Sequence, residues 1–165
     1  MSKRRKATEA EANALASGIR LRIIRLTYRE ALTNKELAGR LGRDPATTLH
    51  HVRKLVDTGF LTPQAPRRGN RGAKEIPYLS TGLSWHLSLG ADTSVAEAML
   101  EAYLAEIAEV PLTDVRQTRL VVRLARNDLT EFEDRLQNLL EEFRDRSHDG
   151  DGEQTAIYVA TYPSR

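Results

Sequence analysis

Residues Asp44 to Gly59 read DPATTLHHVRKLVDTG, and the organisation of the whole chain follows from them. Asp44 is a carboxylate able to cap free backbone N–H groups, Pro45 suits the first helical position, and Gly42 just upstream closes a preceding helix. Gly59 ends the segment. Wound at about 100° per residue, Leu49, Val52, Leu55 and Val56 share one face, with Thr47, His50 and Lys54 opposite and Ala46, His51 and Arg53 on the flanks. The polar side holds Thr, His, Arg and Lys, all able to reach base edges or phosphates, and no carboxylate apart from Asp44 and Asp57 at its two ends. A helix meeting only water normally mixes both charges. Taken alone, the pattern also fits an ordinary amphipathic helix, so the neighbouring segments have to decide.

Upstream, Thr33-Asn34-Lys35-Glu36 is a capping box that opens a short helix through Leu41, with Leu37, Ala38 and Leu41 inward. Two short helices joined at Gly42-Arg43 make a helix-turn-helix. Before them, Ser17 is positioned to cap a helix through Tyr28, with Ile19, Ile23, Ile24 and Leu26 apolar and Arg20, Arg22, Arg25 and Arg29 around them. Ala7 to Ala16 is helix-forming with thin apolar spacing, which predicts a surface helix or a subunit contact, and Met1 to Lys6 is a basic arm expected to be mobile.

Downstream, Phe60-Leu61-Thr62 and Glu75 to Ser80 are expected to pair as strands around a tip containing Arg67, Arg68, Asn70, Arg71 and Lys74. A cationic hairpin following a helix-turn-helix is a wing. Arginine in such a tip enters a minor groove or clamps flanking phosphates.

The order LASGIRLRIIRLT, LTNKELAGRLGRDPATTLHHVRKLVDTGFL and a basic loop closing at EIPYLS resembles the winged helix-turn-helix of the arsenical-resistance-repressor (ArsR) type regulators, over about Leu15 to Tyr78. The resemblance implies recognition-helix contacts at Ala46, Thr47, His50 and His51 and wing contacts at Arg67, Arg68 and Arg71. It also implies that the helix after the wing pairs with its symmetry mate. Pro45 and Ala46 stand where many members carry polar residues, and Leu49 replaces a commonly small polar one. Those departures shift the expected readout towards shape and phosphate.

Charge divides the chain. Met1 to Gly90 holds 17 Lys and Arg against 7 Asp and Glu, a net of +10, and Ala91 to Arg165 holds 8 against 16, a net of −8. A basic front attracts a polyanion and gains affinity by releasing its counterions; an acidic back suits a protein contact or solvent. The sequence has no cysteine, which excludes disulfides, thiolate metal sites and cysteine nucleophiles. No apolar run approaches a membrane span and the N-terminus is too polar for a signal peptide, so a cytoplasmic location and no membrane partner are expected.

The back half carries three further expectations. Leu83, Trp85, Leu87 and Leu89 alternate with polar residues as in a strand, with Trp85 inward and His86 outward. Asp92 or Thr93 starts a helix to about Glu109 whose apolar stripe, including Val95, Met99, Leu100, Tyr103 and Ile107, suits dimerisation through a self-complementary patch. Arg119 to Ala125, Leu129 to Phe143 and Thr155 to Tyr162 read as strand, helix, strand. The expected fold class is therefore α+β, mostly α. It comprises a winged helix-turn-helix DNA-binding domain over 1–90, then a long helix and a small strand-helix-strand unit over 91–165 for dimerisation or an effector.

Catalysis is not expected: Ser147-His148-Asp149 are consecutive in a polar turn and lack the scaffold that aligns a triad. No cofactor or metal is assigned. The expected function is a sequence-specific regulator of transcription, a homodimeric repressor on double-stranded DNA with an effector unknown. Two alternatives stay open: a metal sensor using His86, Asp92 and His148, and an architectural protein with little sequence preference.

Overall fold

The computed structural model describes residues 4–69, 72–90, 92–146 and 152–164. By contact the chain divides into two units, Ser2–Pro111 and Leu112–Arg165. The first unit runs β1 (Arg5–Lys6), α1 (Glu9–Leu15), α2 (Gly18–Leu26), β2 (Leu32–Thr33), α3 (Asn34–Leu41), α4 (Pro45–Asp57), β3 (Leu61–Pro63), β4 (Arg67–Arg68), β5 (Lys74–Glu75), β6 (Pro77–Ser80), a 3-10 turn (Leu83–His86), β7 (Leu87–Ser88) and α5 (Thr93–Ile107). It is α+β and mostly helical, with a helix-turn-helix followed by a wing.

Local chemistry sets most helix starts. The Thr33 hydroxyl accepts from the Glu36 N–H at 3.3 Å while the Glu36 carboxylate accepts from the Thr33 N–H at 2.8 Å, so each satisfies a donor the helix cannot. Thr8 and Glu11 repeat the device at α1. Asp44 accepts from the Thr47 N–H at 2.9 Å and Pro45 takes the first turn of α4. Between the two short helices Gly42 sits at φ 59°, a left-handed conformation in which a side chain would be strained.

The core is one cluster. Leu37 of α3, Val52 and Leu55 of α4, Ile23 of α2, Leu32 of β2 and Phe60 are essentially inaccessible to solvent. Strand order β2-β6-β3 is antiparallel throughout, with Leu32 opposite Tyr78 and Thr62 opposite Leu79. The sheet anchors both ends of the hairpin against the helices.

Several expectations are corrected. The basic arm is not simply free: Arg5–Lys6 pairs in parallel with Leu87–Ser88, and Arg5 donates to both Glu11 oxygens at 2.8 and 2.5 Å. Met1 to Lys3 lie outside the described residues. Nor is α1 a surface helix, since Ala14 and Leu15 are buried and pack with α2 and α5. Two well-placed apolar residues anchor a two-turn helix, so thin spacing was a poor guide to its burial. The span Leu83 to Leu89 is a 3-10 turn followed by a two-residue strand, because Gly82 at φ 74° reverses the chain after β6 and the Trp85 N–H closes on the Gly82 carbonyl at 3.2 Å. Trp85 is half-buried rather than core, with the Arg4 guanidinium over its ring at 4.7 Å.

α5 belongs with the first unit, moving the boundary from 90/91 to 111/112. Val95, Ala98 and Ala102 are its buried edge, and its most extensive contact is with α2. Small residues let the two helices approach, and Glu101 lies so close to Gly18 that a Cβ there would sit 2.7 Å from its carboxyl carbon. Arg22 and Arg25 pair with Glu109 and Glu106 at 2.6 and 2.8 Å, tying the basic helix to the acidic one.

In the second unit α6 (Arg126–Arg146) contains the expected helix and extends it at both ends. The flanking segments Arg119 to Ala125 and Thr155 to Tyr162 form no strands. A strand needs a partner edge, and these segments have none among the described residues; Leu120 and Val121 are 73% and 67% exposed.

The Arg5–Glu11 pair supplies a pH test. Hydrogen bonds from Arg5 and from the Thr8 backbone hold the Glu11 carboxyl down at about 2. A depressed carboxylate stabilises the fold fully above its ordinary value of 4.5 and loses that contribution as pH falls through its folded value. Chemical denaturation of wild type and Glu11→Gln is expected to show a wild-type advantage at neutral pH that shrinks steadily below about pH 4.5. A constant difference at all pH values would contradict it.

Candidate nucleic-acid interface

The rotation of α4 is set by Thr48, Val52 and Leu55, spaced to lie on one edge and all buried. Thr48 is the unexpected member. Its hydroxyl donates to the Asp44 carbonyl at 2.9 Å, which satisfies the one polar atom and lets its methyl pack. With that edge inward, Ala46, Thr47, His50 and Arg53 are exposed, and Lys54 is half-exposed. The Asn34 amide donates to the Pro45 carbonyl at 2.8 Å, joining the start of α3 to the start of α4. The first turn of α4 is therefore held from both sides.

His51 differs from the other proposed contacts. Its ring is partly buried and Nδ1 has no hydrogen-bond partner among the described residues. His50 meets it edge-on with centroids 5.9 Å apart. Desolvation, then the charges of Arg20, His50 and Arg43, lower its pKa from the ordinary 6.5. The neutral ring is favoured, so His51 offers a hydrogen-bonding edge rather than a cation.

The wing stem is braced. Arg67, expected to touch DNA, donates to both oxygens of Glu36 at 2.5 and 2.6 Å, the same carboxylate that caps α3. The Thr33 backbone N–H is the largest influence lowering the Glu36 pKa, and Arg67 contributes to it. The β4–β5 pairing sets Arg67 opposite Glu75 and Arg68 opposite Lys74. Arg68 and Lys74 are exposed, whereas Asn70 and Arg71 lie outside the described residues. A shallow polar groove between the wing stem and the start of α3 is lined by Lys35, Glu36, Arg67, Arg68 and Glu75.

Of the α2 arginines, Arg20 is committed to structure: it donates to the carbonyls of Ala14 and Asn13 at 2.5 and 2.7 Å, capping the end of α1. Arg20 and Glu36 are structural roles that sequence reading missed. The spacing of Glu36 showed its capping function, but its partner lies 31 residues away. Among the proposed dimerisation residues, Val95 is buried within its own chain, Met99 and Leu100 are 46% and 47% exposed, and Tyr103 and Ile107 are half-buried. Leu104, at 55% exposure, extends the open patch. Val95 therefore fills this chain's core and is not available to a partner.

The metal-sensor alternative rests on three residues, of which two are described. His86 is exposed, Asp92 is used as the cap of α5, and His148 is outside the described residues. No group of three potential ligands occurs among the described residues.

Residues 15–64 match the family model described as a helix-turn-helix domain, a span that begins at Leu15 and takes in α3, α4 and β3. Solved structures with partial overlap include reduced HlyU from Vibrio cholerae, at 21% identity over 56% of this chain and 81% of that one with a TM-score of 0.35. ZitR of Lactococcus lactis, in the apo form of a C30AH42A mutant, is 17% identical over 78% and 83% with a TM-score of 0.36. A MarR transcriptional regulator from Methanosarcina mazei is 16% identical over 78% of each chain with a TM-score of 0.35. No curated protein shows significant similarity.

Two outcomes follow from this geometry. In Glu36→Gln the amide retains the capping role while the ion pair with Arg67 is lost; hydrogen exchange at Arg67 and Arg68 is expected to accelerate, with global stability changed by no more than about 1 kcal/mol. Unchanged exchange would show that the pair does not hold the wing. A histidine with a depressed folded pKa favours its neutral form, so protonation opposes folding. His51 should therefore cost stability as pH falls through about 6.5, the cost levelling off below its folded value. His51→Asn should flatten the melting temperature between about pH 7 and pH 5 relative to wild type. Parallel curves would refute the assignment.

Proposed function

We propose that the chain is a sequence-specific DNA-binding regulator of transcription, a homodimeric repressor of the ArsR type acting in the cytoplasm on double-stranded DNA. The carrying observation is the exposed face of α4. Thr47, His50 and Arg53 are open to solvent on a helix whose opposite edge is buried, and its carboxylates are confined to the two ends. A major groove admits one helix, and these side chains match its donors and acceptors and its flanking phosphates. His51 adds a neutral edge beside them and Lys54 a phosphate contact.

In this reading the wing adds charge rather than sequence. Arg68 and Lys74, together with Asn70 and Arg71, hold the backbone flanking the recognition helix, while Arg67 fixes the stem. Pro45 and Ala46 contribute little direct hydrogen bonding at the N-terminal turn, so shape and phosphate carry a larger share of affinity. The open patch of Met99, Leu100 and Leu104, flanked by Tyr103 and Ile107, supports pairing of two copies through α5. Two α4 helices related by a two-fold axis read half-sites about one helical turn apart. The chemistry on offer is binding, with no residue assigned a catalytic role.

The test is fluorescence anisotropy with a duplex from the upstream region of the chain's own coding sequence and a scrambled duplex, over about 50 to 200 mM salt. Preference for the native duplex is expected, with a log–log slope of several units. Arg68→Ala and Lys74→Ala should each reduce that slope by about 1 without changing preference, and His50→Ala should cost about 1–3 kcal/mol and relax it. Equal affinity for both duplexes at low salt would overturn the sequence-specific reading.

A further inference from the structure

The apolar face of α6 carries a regular seam, widened at one point by the half-buried Leu140. Leu129, Phe132, Leu136, Leu139 and Phe143 are spaced three, four, three and four residues apart, the 3.5-residue period with which two helices wind around each other. In α6 no residue is buried, and Leu129, Phe132, Leu139 and Phe143 are between 41% and 55% exposed. A shallow groove with Phe132, Arg135, Leu136, Leu139 and Glu142 in its lining runs along this seam.

We propose that this seam is covered by α6 of a second copy of the chain, running antiparallel as a short coiled coil. Flanking charge decides both the occupant and its direction. In heptad terms the residues beside the seam are Asp128, Arg135 and Glu142 on one side and Glu133 and Leu140 on the other. A parallel pair sets Asp128 against Glu133 of the second copy, like against like, at both symmetric places. In the antiparallel register that faces Leu136 with Leu139 and Phe132 with Phe143, Arg135 meets Glu142 of the second copy twice. Opposite charges at these positions set orientation as well as affinity.

In the single chain Arg135 pairs with Glu131 at 3.3 Å on the helix's own surface, an exposed contact that a closer partner easily replaces. The seam covers little more than two heptads, so it pairs weakly by itself and more strongly where another contact already holds two chains together. The seam residues belong to a different unit from α4 and the wing.

The chain contains no cysteine, which makes thiol trapping clean. Full-length chains carrying Leu136→Cys and Leu139→Cys, distinguished by a tag, are co-expressed and exposed to a short thiol cross-linker. The antiparallel register predicts that the mixed pair dominates over either like pair. Adding Arg135→Glu to both chains should slow cross-linking about tenfold, and adding Glu142→Arg as well should restore it. Circular dichroism on each variant confirms that helix content is unchanged. Predominance of like pairs would show a parallel arrangement and overturn the proposal. No cross-link, or slowing without rescue, would mean that something other than a second α6 covers the seam. DNA affinity of the same variants is read separately, so either idea can fail without the other.

Discussion

What the exposed face of α4 can offer depends on how the helix is seated. Val52 and Leu55 are buried completely and Thr48 almost so, which leaves no freedom to rotate the helix about its axis without exposing apolar surface. Burying a side chain of this size contributes about 1.5–3 kcal/mol, and a rotation of one residue, about 100°, would forfeit several such terms at once. The exposed side chains on the other side thus inherit their direction from the buried ones. The same logic extends to Asn34, whose amide holds the Pro45 carbonyl, and to Gly42, whose backbone permits the sharp turn between the helices.

Glu36 links this seat to the wing. One carboxylate satisfies the backbone at the start of α3 and both prongs of the Arg67 guanidinium. A basic hairpin left to itself would repel its own charges and sample many positions; a single anion at its base neutralises one of them and fixes the stem. Arg68 and Lys74 then project from a defined root. Basic charge is similarly organised elsewhere, with Arg5 on Glu11, Arg20 on the end of α1, and Arg22 and Arg25 on the end of α5. Arg53 on α4 and Arg68 and Lys74 on the wing stay exposed.

Reading from sequence succeeded where the determinants are local. Thr33 with Glu36, Asp44 with Pro45, and Gly42 are signals contained within a few residues, and α3, α4 and the hairpin follow them. It failed where a distant partner decides. β1 exists because Leu87–Ser88 lies beside it, and nothing in Arg5-Lys6 announces that strand. Leu83 to Leu89 alternates like a strand but is broken by the backbone of Gly82, while 119–125 and 155–162 have strand-like composition and no edge to join among the described residues. At the candidate interface the exposed residues of α4 were legible by helical period. Thr48 was not, because a threonine takes a core position only once its hydroxyl has found the Asp44 carbonyl, and Arg67 was legible as a cation but not as a brace.

Hydrogen exchange of the full chain with and without its upstream duplex tests the central claim most directly. Side chains of α4 bound in a groove, with the wing closed on the flank, should slow exchange from Pro45 to Asp57 and from Arg67 to Glu75, with little change in the backbone of α6. Protection confined to the N-terminal residues or α6, with α4 unchanged, would contradict the account even if the DNA were bound tightly.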